Sequence, residues 1–593
     1  MGYFVLKDCH RINGLTGESL EMGAFARLSQ IDVHGVKNEY VSFQIVLEDV
    51  SIPYENIKFR FEPSGGQAGI GQEGFSVFYE WFHQFDGKLI PDMLVPWEHA
   101  GEIGLTAKTR EYYTSRYTAF WVDCFIPKTI EAGAYTGTVY VDCGGDAIAI
   151  PYAVTVHKAT LCDEALIHTD CNNYADAMTR IFPEVLANNE KRFEDGSYFK
   201  IESQFYKMTH DHRALFHYLP YTHSGFNYIS FAPKLAGEGK TIHVSDWSLY
   251  DEHMGPYFDG SAFKGTARGE IPVPFAYLPF CFDWPSSYEK WGTEGYKIEN
   301  RRILLDFLRH FEEKGWTKTV FEIFSNHKKR YRFFPYDGDE TRHEHDEEFF
   351  YIFDDIFTDL LNQSNVQVVI RTDSSWSFHK QYNSRMSEII KMWTVGGGLI
   401  LHVPESFQYM KEQGNILWAY GGLPQLNDRL VALYEWPIRC LQNEIGGILY
   451  WNTTGIGPEP LVCPTSGGGE TFYYPTCGLG LPGGLFPSLR LKFNRNTMQL
   501  VDLVKMYEGT WTYHQMRDAI DEIYGNTRDK WHHVYSEEMR CEPHLMTNEM
   551  IGRNCNNPAN NASRNATPDT PLQVKAKILE MADSFLGGQS VWR

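Results

Sequence analysis

Apolar and polar positions alternate with a period of two through the first part of the chain, in short runs punctuated by Gly and Pro. Residues 40–47, 117–127 and 133–141 each read as a strand, and the turn Gly144-Gly145-Asp146 leads into another at 147–156. Few stretches there carry helical periodicity, so residues 1–158 are expected to form an N-terminal antiparallel β-sandwich. The texture then changes. Short apolar runs at 214–219, 276–280, 319–324, 366–370, 398–403 and 447–451 alternate with amphipathic stretches, of which 298–314 and 347–362 are examples. Such alternation, sustained over roughly 350 residues, predicts an α/β fold: a (β/α)8 barrel with insertions, spanning 159–528. Residues 529–593 read as a C-terminal extension, an Asn-rich polar linker at 554–565 followed by a helix from Pro571 to about Phe585. Leu572, Val574, Ile578, Met581 and Phe585 fall near helical spacing there. The pattern leaves open whether this helix docks on the barrel or on another subunit, so a homo-oligomer remains one expectation.

Composition narrows the picture. At 593 residues the chain exceeds what one core usually holds, in keeping with two or three domains. The net charge of −22 comes without a long Lys/Arg run, which argues against a nucleic-acid partner. Lys328-Lys329-Arg330 with Arg332 is too short to change that. Eleven scattered cysteines with no C-x-x-C pair argue against a disulfide framework and a structural zinc site. Free thiols point to a reducing compartment. The first residues lack the basic and apolar regions of a signal peptide, so a cytoplasmic location is expected unless a leader has been removed. No window approaches the apolar length of a membrane span. The sequons at Asn452, Asn561 and Asn565 read as chance matches.

The segment Arg332 to Thr341 holds the most telling chemistry. Asp339 and Glu340 stand side by side next to Tyr336, about fifteen residues after the apolar run at 319–324. Adjacent carboxylates beside aromatic residues suit acid/base work on a sugar, because repulsion and an apolar wall drive their pKa values apart. A solvated acidic loop is the equal alternative, since His343-Glu344-His345-Asp346-Glu347-Glu348 follows directly. Three other carboxylates compete: Glu322 within a strand, Asp337 two residues from Asp339, and Asp373 after a strand, where capping a helix is the commoner role. In a (β/α)8 barrel chemistry sits on the loops after the strand C-termini. Candidate pocket residues are therefore Thr222-His223, Asp373 to Trp376, and Trp451-Asn452, with His217 and His223 as hydroxyl ligands or structural histidines. Aromatic faces stack on sugar rings, and aromatics make up 15% of the chain. Trp376, Trp418, Tyr420, Trp436 and Trp451 are the stacking candidates, each also fit for core packing. His343-x-His345 has no evident third ligand, Gly467-Gly468-Gly469 lacks the Lys-Ser/Thr of a phosphate loop, and no Gly-x-Ser-x-Gly elbow occurs. No metal or cofactor is expected.

Several ordered segments together resemble bacterial glycoside hydrolases of the family 123 type and the wider set sharing the DUF4091 domain. They include Gly133-x-Tyr135-x-Gly137-Thr138, Ser245-Asp246-Trp247-Ser248-Leu249-Tyr250-Asp251, the Asp339-Glu340 loop, and Ile370-Arg371-Thr372-Asp373. Leu417-Trp418-Ala419-Tyr420-Gly421-Gly422, Gly446 to Asn452, Glu470 to Pro475 and Phe486 to Lys492 follow in order. The resemblance implies a β-sandwich ahead of the barrel, action on β-linked N-acetylgalactosamine, and a catalytic pair at Asp339 and Glu340. By that likeness the enzyme would be a retaining exo β-N-acetylhexosaminidase in which the substrate's acetamido oxygen attacks the anomeric carbon. Glu340 would then be the acid/base, and Asp339 would orient the acetamido group. Members often show Asp-Glu-Pro where this chain has Asp-Glu-Thr341 with an enlarged acidic segment after it, a departure that bears on the substrate rather than on the general chemistry. A two-carboxylate hydrolase of other glycan specificity, or a carbohydrate-binding protein that has lost catalysis, are the competing readings.

Overall fold

The structure is a computed structural model that describes residues 2–588 except 65–68, 146, 221, 223–231, 282, 325–335, 337, 339–343, 362, 375–383, 397–409, 465–469 and 526–565. Nine strands come first: β1 (Gly2–Lys7), β2 (Ile31–Lys37), β3 (Glu39–Glu48), β4 (Lys58–Pro63), β5 (Phe75–Phe85), β6 (Lys88–Pro96), β7 (Tyr117–Ile126), β8 (Gly133–Asp142) and β9 (Ala147–Thr160). They form an antiparallel sheet, β1-β3-β7-β5-β6, and a second sheet, β2-β9-β8-β4, in which only the β2–β9 pair is parallel. Period-2 patterning explains the packing. Ile150, Tyr152, Val154 and Val156 of β9 are buried while their neighbours face outward, and they join Val41, Phe43, Ile45 and Leu47 of β3 in one apolar cluster.

The remaining sheet is the scaffold for the site. Its strands are β10 (His168–Tyr174), β11 (Leu215–Leu219), β14 (Phe275–Tyr277), β15 (Val320–Ile323), β16 (Val368–Ser374), β17 (Met392–Gly396), β18 (Ile416–Gly422) and β19 (Gly447–Trp451). A small hairpin, β12 (Lys234–Ala236) with β13 (His243–Asp246), interrupts the series. The eight strands are ordered β11-β10-β19-β18-β17-β16-β15-β14, and all neighbouring pairs are parallel. The two edges nearly meet: the His217 ring of β11 stacks on Tyr277 of β14 at 3.8 Å. The fold is thus mixed α/β, an almost closed parallel barrel accompanied by antiparallel sheets.

The longer helices that accompany the barrel are α1 (Ser197–Asp211), α2 (Ser248–Asp259), α3 (Glu294–Lys314), α4 (Glu348–Leu361), α5 (Ala432–Asn443), α6 (Leu489–Lys505) and α7 (Trp511–Tyr524), and a terminal helix, α8 (Asp569–Gly588), packs on α7 and on β9. Helix α3 starts where Thr293 accepts the Tyr296 N–H and stops at Gly315, whose φ of 74° suits glycine. The expected strands at 214–219, 276–280, 319–324, 366–370 and 447–451 correspond to β11, β14, β15, β16 and β19. The expected strand at 398–403 lies outside the described residues. In its neighbourhood the described strand is β17, a five-residue run ending at Gly396. The terminal helix expected from Pro571 is α8, whose Val574, Ile578, Leu579 and Ala582 are buried in the main core; the Asn-rich linker lies outside the described residues.

Helix α6 joins the barrel to the first sheet. Its Arg490 donates to Asp92 of β6 (2.9 Å) and to the carbonyls of Pro424 (2.7 Å) and Thr471 (2.8 Å), which follow β18 and β19. One turn on, Lys492 (2.6 Å) and Arg495 (2.7 Å) close on Asp123 of β7. No helix among the described residues is long and apolar enough to cross a membrane.

Candidate active site

The barrel strands carry polar residues at alternate positions, and these point to the axis. At the floor, His168, Phe275 and Trp418 pack ring against ring, with Phe275 and Trp418 centroids 4.6 Å apart. Above them lies a layer of charge. Arg371, wholly buried, donates to Glu322 (2.9 Å), to the Tyr277 hydroxyl (2.6 Å) and to Asp373 (2.9 Å). His217 stands 2.7 Å from Asp170 through Nδ1 and 3.4 Å from Glu322 through Nε2. Asn172 donates to Tyr277 at 3.1 Å. Seven groups from five strands thus lock one another in place.

Burial sets the protonation of this layer. It pushes the Asp170 carboxyl well above the carboxylate range, with Arg371 only partly opposing it. Glu322 is also raised by burial, against the pull of His217 and Arg371. His217 is driven down to about 3 by burial, although Glu322 favours its charged form. Burial works against the Arg371 guanidinium too, but Asp373, Tyr277, Glu322 and Asp170 together hold it charged. The layer thus holds a neutral imidazole, a fixed cation and two carboxyls, Asp170 and Glu322, whose ionisation burial opposes, all enclosed in the barrel.

At the C-terminal ends of the strands an aromatic rim sits over this layer. Tyr174, Leu219, Tyr277, Cys281 and Phe324 form a separate apolar cluster, with Trp284 and Trp451 packed against it. Trp451 donates to the Tyr174 hydroxyl at 3.4 Å, and Asn452 follows with φ 55°, turning the chain at the strand end. Thr453 donates to Asn173 at 3.2 Å.

The expected site residues separate accordingly. Asp373, Trp451 and Asn452 lie at the rim; Tyr420, half-buried, is near the end of β18. His217 and Glu322 are sealed in the layer beneath. Trp418 is wholly buried at the floor, and Trp436 packs on α5 beneath Arg439. Asp339, Glu340, Asp337, His223, Trp376 and His343 lie outside the described residues. Two residues of the acidic loop are described. Tyr336 donates to Glu348 at 3.0 Å, and Gly338 packs so closely on α4 that a Cβ would fall 2.7 Å from Phe349. These two residues thus pack against the start of α4. A cavity of about 320 Å³, lined by His168, Arg213 and Arg268, opens at the opposite, N-terminal end of the barrel, away from these groups.

Sequence reasoning missed Asp170, Asn172, Tyr277 and the central role of Arg371. The signal was present: His168-x-Asp170-x-Asn172-x-Tyr174 and Arg371-x-Asp373 place polar residues at period two inside otherwise apolar strands.

No family model matches the sequence, and no curated protein matches it. Among solved structures, a family 123 glycoside hydrolase from Clostridium perfringens, described in a study of glycolipid glycan hydrolysis, superposes with a TM-score of 0.64 at 13% identity. The match spans 99% of each chain, so the two share a fold from end to end, as the motif resemblance implied. A putative alpha-galactosidase from Bacteroides fragilis matches 80% of this chain and 81% of its own at 9% identity, with a TM-score of 0.23. Beta-glucuronidase 3 from Bacteroides uniformis matches 80% of this chain and 51% of its own at 10% identity, with a TM-score of 0.25. Scores that low carry no weight for the fold.

Proposed function

We propose that the chain is a glycoside hydrolase, a retaining exo β-N-acetylhexosaminidase that prefers N-acetylgalactosamine and works by substrate assistance. Glu340 donates a proton to the leaving glycosidic oxygen and later takes one from water. Asp339 stays ionised, holds the acetamido N–H and steadies the oxazolinium charge that develops as the acetamido oxygen attacks the anomeric carbon. The sugar stacks on the aromatic rim, with Trp451 as its platform and Asn452, Asp373, Tyr336 and Tyr420 within the same mouth; His223 and Trp376 belong to this set by their sequence positions. The two N-terminal sheets are read as a β-sandwich covering 1–158, ahead of a catalytic barrel at 159–528 and an extension at 529–593. Buried free thiols at Cys9, Cys124, Cys171 and Cys440 favour a reducing, cytoplasmic setting.

One observation carries the choice of mechanism. Glu322, the strand carboxylate best placed to serve as a conventional nucleophile or base, is 0% exposed and held at 2.9 Å by Arg371. That leaves the work to the acidic pair on the loop leaving the same strand. The whole-length likeness to a family 123 glycoside hydrolase supports the substrate class.

The test is hydrolysis of nitrophenyl N-acetyl-β-galactosaminide and its glucosaminide counterpart by the wild type and by Glu340→Gln. Loss of turnover by on the order of a hundredfold or more is expected, together with tight inhibition by a thiazoline that mimics the oxazoline. Unchanged turnover in Glu340→Gln removes that residue from the reaction. Indifference to the thiazoline points to a conventional two-carboxylate route.

A further inference from the structure

The almost closed barrel leaves a seam. Its edge strands β11 and β14 have no ladder between them among the described residues. The chain entering β14 reads Ile271-Pro272-Val273-Pro274, and its two prolines have no N–H to offer a neighbouring strand. The cavity of about 320 Å³ at the N-terminal end of the barrel opens at this seam, between Leu215 of β11 and those residues. Its volume falls in the range of small-molecule sites, and much of its wall is apolar. Phe216, Phe263 and Val273 are each buried there, with Phe263 stacked on His210 at 3.9 Å.

Two guanidinium groups line the cavity, and only one is answered by a carboxylate. Arg213 donates to Asp502 at 2.9 Å and to the carbonyls of Cys162 (3.0 Å) and Glu164 (2.8 Å). Arg268, half-buried, has no carboxylate partner among the described residues. Its Nε donates to the Asp163 carbonyl and its Nη1 to the His210 carbonyl, both at 2.8 Å, which leaves three of its five N–H groups open. Burial and the neighbouring Arg213 work against the Arg268 charge, while Asp502, Asp211 and Asp163 favour it from beyond ion-pair distance. A cation withdrawn from water in this way calls for an anion. His168 lines the same cavity, and neither of its ring nitrogens is hydrogen-bonded among the described residues. Burial, helped by Arg268, holds that ring at about 4, so at neutral pH it is uncharged and has one N–H to donate.

The charges narrow the ligand. At the mouth Glu164 and Glu270 are exposed, against one exposed lysine, Lys318. The two acids repel a polyanion, and one open guanidinium balances a single negative charge. A carboxylate carries one charge, and its two oxygens match the parallel N–H groups of a planar fork. We propose that the seam cavity binds a small organic monocarboxylate, its charged end on Arg268 and His168 and its apolar body against Phe216, Phe263 and Val273. The site lies at the opposite end of the barrel from the aromatic rim, and the assignment does not depend on the chemistry proposed there.

The test titrates the full chain with sodium benzoate by calorimetry, with benzyl alcohol as the uncharged counterpart of the same shape. The wild type should take up one benzoate per chain at this site and bind benzyl alcohol far more weakly. Arg268→Gln removes the charge and should weaken benzoate binding on the order of 10–100-fold, the loss expected for a hydrogen bond to a charged group. A thermal melt and circular dichroism verify that the variant folds. The comparison of benzoate with benzyl alcohol uses the wild type alone, so it decides the point whether or not the variant does. The proposal is overturned if the wild type shows no saturable uptake of benzoate or binds benzyl alcohol as tightly. It is equally overturned if folded Arg268→Gln binds benzoate as the wild type does.

Discussion

A single guanidinium organises the centre of the barrel. Arg371 is surrounded by Glu322, Asp373 and Asp170 and is wholly buried. Removing one partner of a buried ion cluster costs far more than the cluster contributes, because the opposite charges are left uncompensated. Arg371→Ala should therefore lower stability by about 3–5 kcal/mol, read as a fall in the urea midpoint. Arg371→Lys should not restore it, since one ammonium cannot reach three partners along a planar fork. Glu322 gives the contrasting case. Burial already favours its protonated form, which Gln imitates, so Glu322→Gln should keep turnover within about tenfold of the wild type where Glu340→Gln loses a hundredfold or more. Equal losses in the two variants would move the acid/base role into the strand.

At the level of elements, the legible and the hidden parts of the chain differ for a physical reason. The N-terminal strands have one solvated face, and alternation shows in the sequence; β9 reads as a strand without any structure. Helices α3 and α4 carry one apolar stripe and were equally plain. Barrel strands are enclosed on both faces, so β17, five residues long, leaves no period to detect, and β10 hides behind its axial polar residues. The candidate site was legible only in part. Trp451 and Asn452 stand at a strand C-terminus, the kind of position from which they were proposed, whereas Trp418, in the same kind of motif, belongs to the floor three residues into its strand. Register, which places one tryptophan at the rim and the other underneath, comes from pairing between strands distant in sequence. The rim position carries a prediction of its own. Trp451→Ala removes the stacking face but no proton donor, so KM should rise roughly fivefold, the kinetic equivalent of about 1 kcal/mol, with kcat little changed. A fall in kcat alone would assign Trp451 to the chemistry rather than to binding.

Across the whole molecule, buried histidines and buried carboxyls pull the response to acid in opposite directions. Burial holds His83 and His168 at about 4, and His210 and His217 at about 3. The unfolded chain binds those protons near pH 6.5, so between the two values it carries more protons than the native state and stability falls as the pH falls. Each such histidine contributes up to about 1.4 kcal/mol per pH unit. Buried carboxyls such as Glu80, pushed up to about 8, and Glu470, pushed up to about 7, act in the opposite sense, so the histidine contribution is read as a difference: His217→Gln should make the urea midpoint less sensitive to acid between pH 6.5 and 4.5 than the wild type. An identical pH dependence in the two proteins would mean that the His217 ring is protonated in the native state.

Helix α6 ties the two halves of the chain together with charge rather than with grease. Asp92 and Asp123 are wholly enclosed carboxylates of the first sheet whose only cationic partners among the described residues, Arg490, Lys492 and Arg495, arrive some four hundred positions later. A gene severed near residue 160 would leave those acids unanswered in one product and three stranded cations in the other. The halves should then come out of expression as aggregates when made apart, and recover only when made together.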